Sequence, residues 1–422
     1  MTAQESRTAE ESDMAQGFCL TGKSDTVQES RAEEKSGRAE EFRKPGLEPR
    51  EAAARLKPAA ETLADWYQEN ARALPWRTNP TPYRVWISEI MLQQTRIEAV
   101  IPYYQRFLAE IPDVRALAEI PEERLLKLWE GLGYYSRARN LQKAARICQE
   151  QYGGKLPGSF PELIKLPGIG PYTAGAIASI AFGEKCPSAD GNVVRVLSRL
   201  LAAYPDNLPD KPAAQKAFGA VVREIMEKTS LYPGTVNESL MELGETVCLP
   251  NGKPLCGACP VSALCLSCRN GTQELFPPEI PKKKRRVEER TVFLLTDGEK
   301  LCLHKRPPQG LLASLWELPA CDGYLTQQEA EAYIGKILGA PVRAVPAGTG
   351  KHIFTHLEWH MTGYRVECPG SLENYGEALS AAGFCAVDRQ EIGQDYAIPS
   401  AFSRWSEFWA SEPSAESAKK IP

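Results

Sequence analysis

Three kinds of residue in this chain could do chemistry. Cys248, Cys256, Cys259, Cys265 and Cys268 fall within 21 residues, spaced Cys248-x7-Cys256-x2-Cys259-x5-Cys265-x2-Cys268. Four thiolates in so short a loop hold zinc or an iron–sulfur cluster, and composition alone does not choose between them. Glu89 is the one acid in the apolar stretch VWISEIMLQQT (85–95). Burial there would raise its pKa and suit it to proton donation near neutral pH; periodicity alone would put it on the wet face of an amphipathic helix. Asp190, in PSADGNVVRVLSRL (187–200), opens an apolar helix and is placed to cap it. All four histidines (His304, His352, His356, His360) lie in the last third. The first 300 residues therefore hold no Ser-His-Asp triad, Cys-His pair or HExxH site. Chemistry there falls to carboxylates, Tyr, Lys or a thiolate-bound metal.

The elements that must position these residues change character along the chain. With 422 residues, two or three domains are expected. Residues 1–57, rich in Glu, Arg, Lys, Ala and Ser, read as a disordered charged tail. Residues 58–275 read as an all-α domain, with a six-helix part at about 75–186 and a cluster-bearing part from 58–74 plus 187–275. Leu125, Leu128, Trp129 and Leu132 repeat at helical spacing after Pro121, and Ala138, Leu141, Ala145 and Cys148 continue a stripe that Gly153-Gly154 stops. Ser159 and Glu162 fit a capping box opening the next helix. Residues 276–290 form a Pro- and charge-rich linker. Its run Lys282–Arg286 reads as exposed charge or a phosphate contact in preference to a nuclear import signal. A separate α+β domain follows at 291–411: a hairpin about Asp297-Gly298, a helix near 326–338 and a strand at 356–367. Residues 412–422 are a tail.

LPGIGPYTAGAIASIA (166–181) joins two helices through Gly168 and Gly170, with Pro171 suited to the first helical position. Backbone N–H groups at such a turn and helix start make an anion site. Composition adds exclusions. No apolar run approaches a membrane span and the N-terminus has no apolar secretion segment, so the cysteine cluster reads as a metal site and not as a disulfide framework.

Together these motifs resemble the MutY family of adenine DNA glycosylases over roughly residues 60–410. The resemblance implies a helix-hairpin-helix glycosylase domain with a [4Fe–4S] loop, followed by a Nudix-like domain. It makes Glu89 the acid that protonates adenine, Asp190 the second catalytic carboxylate and Asn192 its neighbour. Tyr172 stands where the bifunctional relatives carry a Schiff-base lysine, which implies a monofunctional enzyme that leaves an abasic site. Gln94 and Tyr134 would wedge into the DNA stack, and Leu166, Gly168 and Gly170 of the hairpin would bind DNA. Cys248, Cys256, Cys259 and Cys265 would hold one [4Fe–4S] cluster. The family has six residues between its first two cysteines and this chain has seven, so Cys268 is the alternative ligand. Phe354-Thr355-His356 matches a Phe-Ser-His loop that inspects 8-oxoguanine. Residues 320–345 lack the Glu-rich Mg²⁺ box of a working Nudix hydrolase. The expected substrate is duplex DNA bearing adenine opposite 8-oxoguanine or guanine, and the expected state a monomer in the bacterial cytoplasm rather than the nucleus.

A formal net charge of −4 argues against a DNA binder. Residues 131–199, however, hold nine bases and four acids, a local excess of +5 around the hairpin.

Overall fold

The computed structural model of the chain describes residues 48–204, 211–278 and 284–409. Two hydrophobic cores build the helical half. One gathers apolar residues between Leu74 and Cys186, centred on Trp86, Phe107 and Trp129. The other joins Ala52–Leu63 to the helices Gly191–Leu201, Lys211–Lys228 and Pro233–Thr246.

The first described helix, Pro49–Asn70, starts inside the segment expected to be a disordered tail. Ala52, Ala53 and Leu56 are buried against the second core. Alanine is the best helix former and packs closely without large apolar bulk, so a count of large side chains overlooks it. The rest of that expectation lies outside the described residues, as does the expected tail at 412–422.

Two helix ends also differ from expectation. The helix read from Pro121 covers only Glu122–Leu128, because Gly131 and Gly133 turn the chain at positive φ. Leu132 and Tyr135 are buried all the same. Ser159 makes no capping bond; Glu162 instead accepts from the Tyr152 hydroxyl (2.8 Å) and Lys165 (2.5 Å).

The C-terminal half is a seven-stranded sheet. Its strands are β1 (Arg286–Thr296), β2 (Lys300–Lys305), β3 (Trp316–Glu317), β4 (Ala320–Asp322), β5 (Arg343–Ile353), β6 (Leu357–Glu367) and β7 (Phe384–Asp388). The main order is β3-β2-β1-β6-β5, with β4 against β1 and β7 against β2. Successive residues of β1 serve opposite faces: Val292 and Leu294 join Trp359 and Trp405, while Phe293 and Leu295 meet the helix Gln327–Leu338. That helix carries a complete capping box from Thr326 and Glu329. β1 also runs into the expected linker. From Arg286↔Leu357 to Thr296↔Glu367 it pairs in parallel with β6, and its charged residues are used: Glu288 accepts from the Trp359 indole at 3.0 Å and Arg290 lies over that ring. Charge on a strand is no obstacle where the backbone ladder is complete.

The halves pack together. Leu315 and Ala397 enter the first helical core. Lys127 donates to the Tyr396 carbonyl (3.0 Å), Arg139 to that of Ala313 (2.7 Å), and Ile398 N–H to Glu130 (2.8 Å). No helix among the described residues is long and apolar enough to cross a membrane.

One close approach brings the second carboxylate into place. The helix Pro171–Phe182 touches the Pro187 carbonyl at Gly175, where an added Cβ would lie 2.0 Å from that oxygen. Gly175→Ala must push the segment leading to Asp190 away. Overpacking of this kind costs about 1–3 kcal/mol, and urea unfolding should register a loss of that order.

Candidate active site

Glu89 sits in the last two turns of the helix Pro82–Leu92, whose start is capped by the Thr81 hydroxyl. Trp86, Ile87, Ile90 and Met91 around it are all buried. The helix thus has no wet face along this stretch, and Glu89 is 8% exposed. Burial pushes its pKa up to about 7. The Tyr172 hydroxyl opposes that rise by hydrogen bonding, while the charges of Glu238 and Asp190 add to it.

Tyr172 lies in the first turn of the helix Pro171–Phe182, and its own pKa is held well above the usual phenol value by burial and by Glu89 and Asp190. It therefore stays protonated. Asp190 caps the helix Gly191–Leu201, its Oδ1 accepting from Val193 N–H at 2.8 Å. Asn192 donates from Nδ2 to Asp190 Oδ2 (2.9 Å) and to Glu245 (2.7 Å). Burial raises the Asp190 pKa against the pull of these bonds. Glu89, Tyr172, Asp190, Asn192 and Gln94 all line one cleft of about 700 Å³, a volume suited to a small planar ligand.

The same cleft holds residues that the sequence reading missed. Trp76, Arg77, Glu238, Met241 and Glu242 line it. Glu242 is completely buried and accepts from Arg72 Nε (2.7 Å), Arg72 Nη2 (3.0 Å) and Arg77 Nη2 (2.8 Å). Burial alone would raise its pKa, but these guanidinium bonds bring it down to about 2. Glu238 is the reverse: burial raises its pKa in spite of Arg77. The available signal was two acids four apart, Glu238 and Glu242, among Val236, Leu240 and Leu243 of one apolar helix.

Gln94 at the cleft and Tyr134 outside it are both exposed and share a conformation rare outside glycine, with φ of 58° and 47°. In the hairpin, Gly168 has φ 79° and faces Asn140, which a Cβ would approach to 2.7 Å. Gly170 is open to solvent with nothing near its missing Cβ. Leu166 departs from expectation. Its side chain is in the core, its N–H donates to Leu163 and its carbonyl accepts from Ile169. It anchors the hairpin, whose exposed positions are Gly168 and Gly170. Across the domain boundary, the Tyr134 hydroxyl meets Thr355 Oγ1 at 2.8 Å. His356 is exposed beside Thr355, while Phe354 packs edge-on against His352 and Trp359 and so supports the loop.

Comparison with known proteins agrees with this arrangement. The model of the HhH-GPD superfamily of base excision DNA repair proteins matches residues 87–224, and that of the NUDIX domain matches residues 291–407. An adenine DNA glycosylase of Buchnera aphidicola is 34% identical over 345 residues, covering 79% of this chain and 93% of that protein. The chain belongs to the adenine DNA glycosylase family. The Arabidopsis thaliana and human adenine DNA glycosylases are 37% and 33% identical over 70% of this chain. The chain spans 55% and 64% of their lengths.

The five cysteines of the loop line one small space. Donors point at their sulfurs: Arg199 to Cys248 (3.4 Å), Gln273 to Cys256 (3.7 Å) and Cys268 N–H to Cys265 (3.4 Å). Such donors suit thiolates, which accept hydrogen bonds more strongly than neutral thiols; Cys265 Sγ also lies 3.3 Å from the Arg199 carbonyl. Cys248 and Cys268 both reach the space, and the seven-residue spacing is accommodated by the turn at Gly252.

Glu242→Ala would leave two arginines facing a buried void. Breaking a buried pair costs about 3–5 kcal/mol, so the unfolding free energy extrapolated from a denaturant titration should fall by that amount and the midpoint with it.

Proposed function

We propose that the chain is a monofunctional glycosylase that hydrolyses the N-glycosidic bond of adenine opposite 8-oxoguanine or guanine in duplex DNA. The observation that carries this reading is the buried Glu89, with its pKa near 7, in one cleft with Asp190. Adenine is a poor leaving group until protonated. A carboxyl group kept neutral by burial can donate that proton, and general acid catalysis of this kind is worth about 10²–10⁴-fold.

The sequence of events follows from the groups present. The adenine leaves the stack, at a cost of a few kcal/mol, with Gln94 and Tyr134 filling and wedging the gap. Glu89 protonates N7, the C–N bond breaks with oxocarbenium-like character, and Asp190 stabilises or captures the sugar cation before water completes hydrolysis. Asn192 holds Asp190 in position, and Tyr172 shapes the site. A phenol forms no Schiff base with the sugar, which supports an abasic-site product without strand cleavage. Thr355 and His356 are suited to reading the opposite base, and Gly168 and Gly170 to a phosphate.

Four of the loop cysteines, Cys248, Cys256, Cys259 and Cys265, would hold a [4Fe–4S] cluster. That cluster would fix the loop covalently and play no part in the bond cleavage. The purified holoprotein should contain four irons per chain, and Cys259→Ser should lower both iron content and melting temperature.

A gel assay on a duplex with one 8-oxoguanine:adenine pair tests the function. The wild type should yield strand breaks only after alkali and should trap no covalent adduct with borohydride. Glu89→Gln should bind the duplex but lose at least ~10²-fold in single-turnover rate. The active form of Glu89 is protonated, so the rate should fall about tenfold per unit above pH 7; below pH 7 it should stay level until Asp190, which acts as the carboxylate, takes up a proton. A rate that rises through pH 7 would overturn the assignment of Glu89 as the acid.

A further inference from the structure

Arg137 is a buried cation that neither the cleft nor the DNA-facing surface uses. It stands in the first turn of the helix Ser136–Gln151 and is 8% exposed. Its guanidinium has no carboxylate partner among the described residues and bonds to backbone carbonyls. Nη1 donates to those of Ile90 (2.6 Å), Met91 (3.0 Å) and Gln93 (2.9 Å), and Nη2 to those of Leu132 (2.9 Å) and Gly133 (3.1 Å). The rings of Trp129 and Tyr134 flank it at 5.3 and 5.7 Å. Nε is buried without a hydrogen-bond partner.

These five carbonyls come from two places with a common property. The first three end the helix that carries Glu89 and lead into Gln94; the other two precede Tyr134. Helix ends leave carbonyls unsatisfied, and a glycine in the left-handed region normally closes them. Here the left-handed residue is Gln94 itself, and the carbonyls are taken up by Arg137. Tyr134 is likewise left-handed. A non-glycine residue held there costs roughly 1–3 kcal/mol and persists only where its surroundings over-determine it. A buried cation without a counter-ion adds a further cost. One planar five-donor fork reaches both turns at once, which an ammonium group does not.

We propose that Arg137 is a positioning residue that ties the two DNA-wedging turns, at Gln94 and Tyr134, to each other and to the helix bearing Glu89. Extrusion of the base and presentation of the acid are thereby coupled through one side chain. This inference rests on the glycosylase reading and on Gln94 and Tyr134 as the wedges.

The test uses the full-length holoprotein and duplexes carrying 2-aminopurine or adenine opposite 8-oxoguanine. Fluorescence of 2-aminopurine reads extrusion, and single-turnover excision reads chemistry. Arg137→Lys keeps the charge and loses the fork. It should lower the extrusion signal and slow excision by about 10- to 10²-fold, with the midpoint of the pH profile still near 7 because Glu89 stays buried. In a Gln94→Ala, Tyr134→Ala background the same substitution should have little further effect, since there are no wedges left to position. Equal losses in both backgrounds, or full extrusion by Arg137→Lys, would overturn the proposal; a merely structural role predicts the first of these. Arg137→Met, read at a temperature where its melting curve shows a folded protein, should repeat the Lys result, and full extrusion by it would overturn the proposal as well. A wild type that neither extrudes nor excises would instead overturn the glycosylase reading.

Discussion

The site depends on keeping one carboxyl group out of water without giving it a cation. Glu89 is useful as an acid only while its charged form is penalised, and a guanidinium at hydrogen-bond distance would cancel that penalty. The cleft nevertheless contains Arg72 and Arg77. Glu242 resolves the conflict. Completely buried and strongly acidic, it takes both arginines into its own bonds and leaves Glu89 with a neutral phenol as its hydrogen-bonding neighbour. Two carboxylates in one cleft thus differ in acidity because their partners differ: Glu242 is ionised at neutral pH, while Glu89 keeps a protonated fraction there.

Other contacts of the helical half fix the segments that line that cleft. Gly175 allows the Tyr172 helix to lie against the segment that delivers Asp190. Asn237, fully buried, ties the same segment by accepting from Ser188 N–H (3.0 Å) and donating to Ser179 and Cys186. On the far side Asn192 continues through Arg195 to the Cys248 carbonyl, so that Asp190 and the cysteine loop share one hydrogen-bonded frame. Across the domain boundary Tyr134 and Thr355 meet directly.

Much of the chemistry was legible from residue types alone. The cysteine spacing announces a metal loop, the missing histidines exclude whole classes of catalysis, and the Gly168–Gly170 hairpin with Pro171 announces an anion site. Each signal is local: a few adjacent residues whose backbone or ligand geometry follows from their identity. The misreadings have local causes too. The alanines of Pro49–Asn70 bury little area each, the charges of β1 look like a linker until the ladder with β6 is drawn, and Leu166 sits in a binding motif with its side chain turned into the core.

By itself, then, the sequence determined the order of a helical half and a mixed half, the candidate carboxylates and the spacing of the cysteine loop; what Tyr172 implies came through the family resemblance. Only the tertiary structure decided what state those carboxylates are in. Periodicity put Glu89 on a wet face, and the helix Pro82–Leu92 has none there, because neighbours from distant segments cover it on every side. A pKa is set by what surrounds a group in three dimensions: Glu238 and Glu242 lie more than a hundred residues from Glu89 along the chain, and Arg77 lies on a separate short helix. The same holds for Arg137, an ordinary basic residue in the sequence that becomes a joint between two turns only when both bring their carbonyls to it.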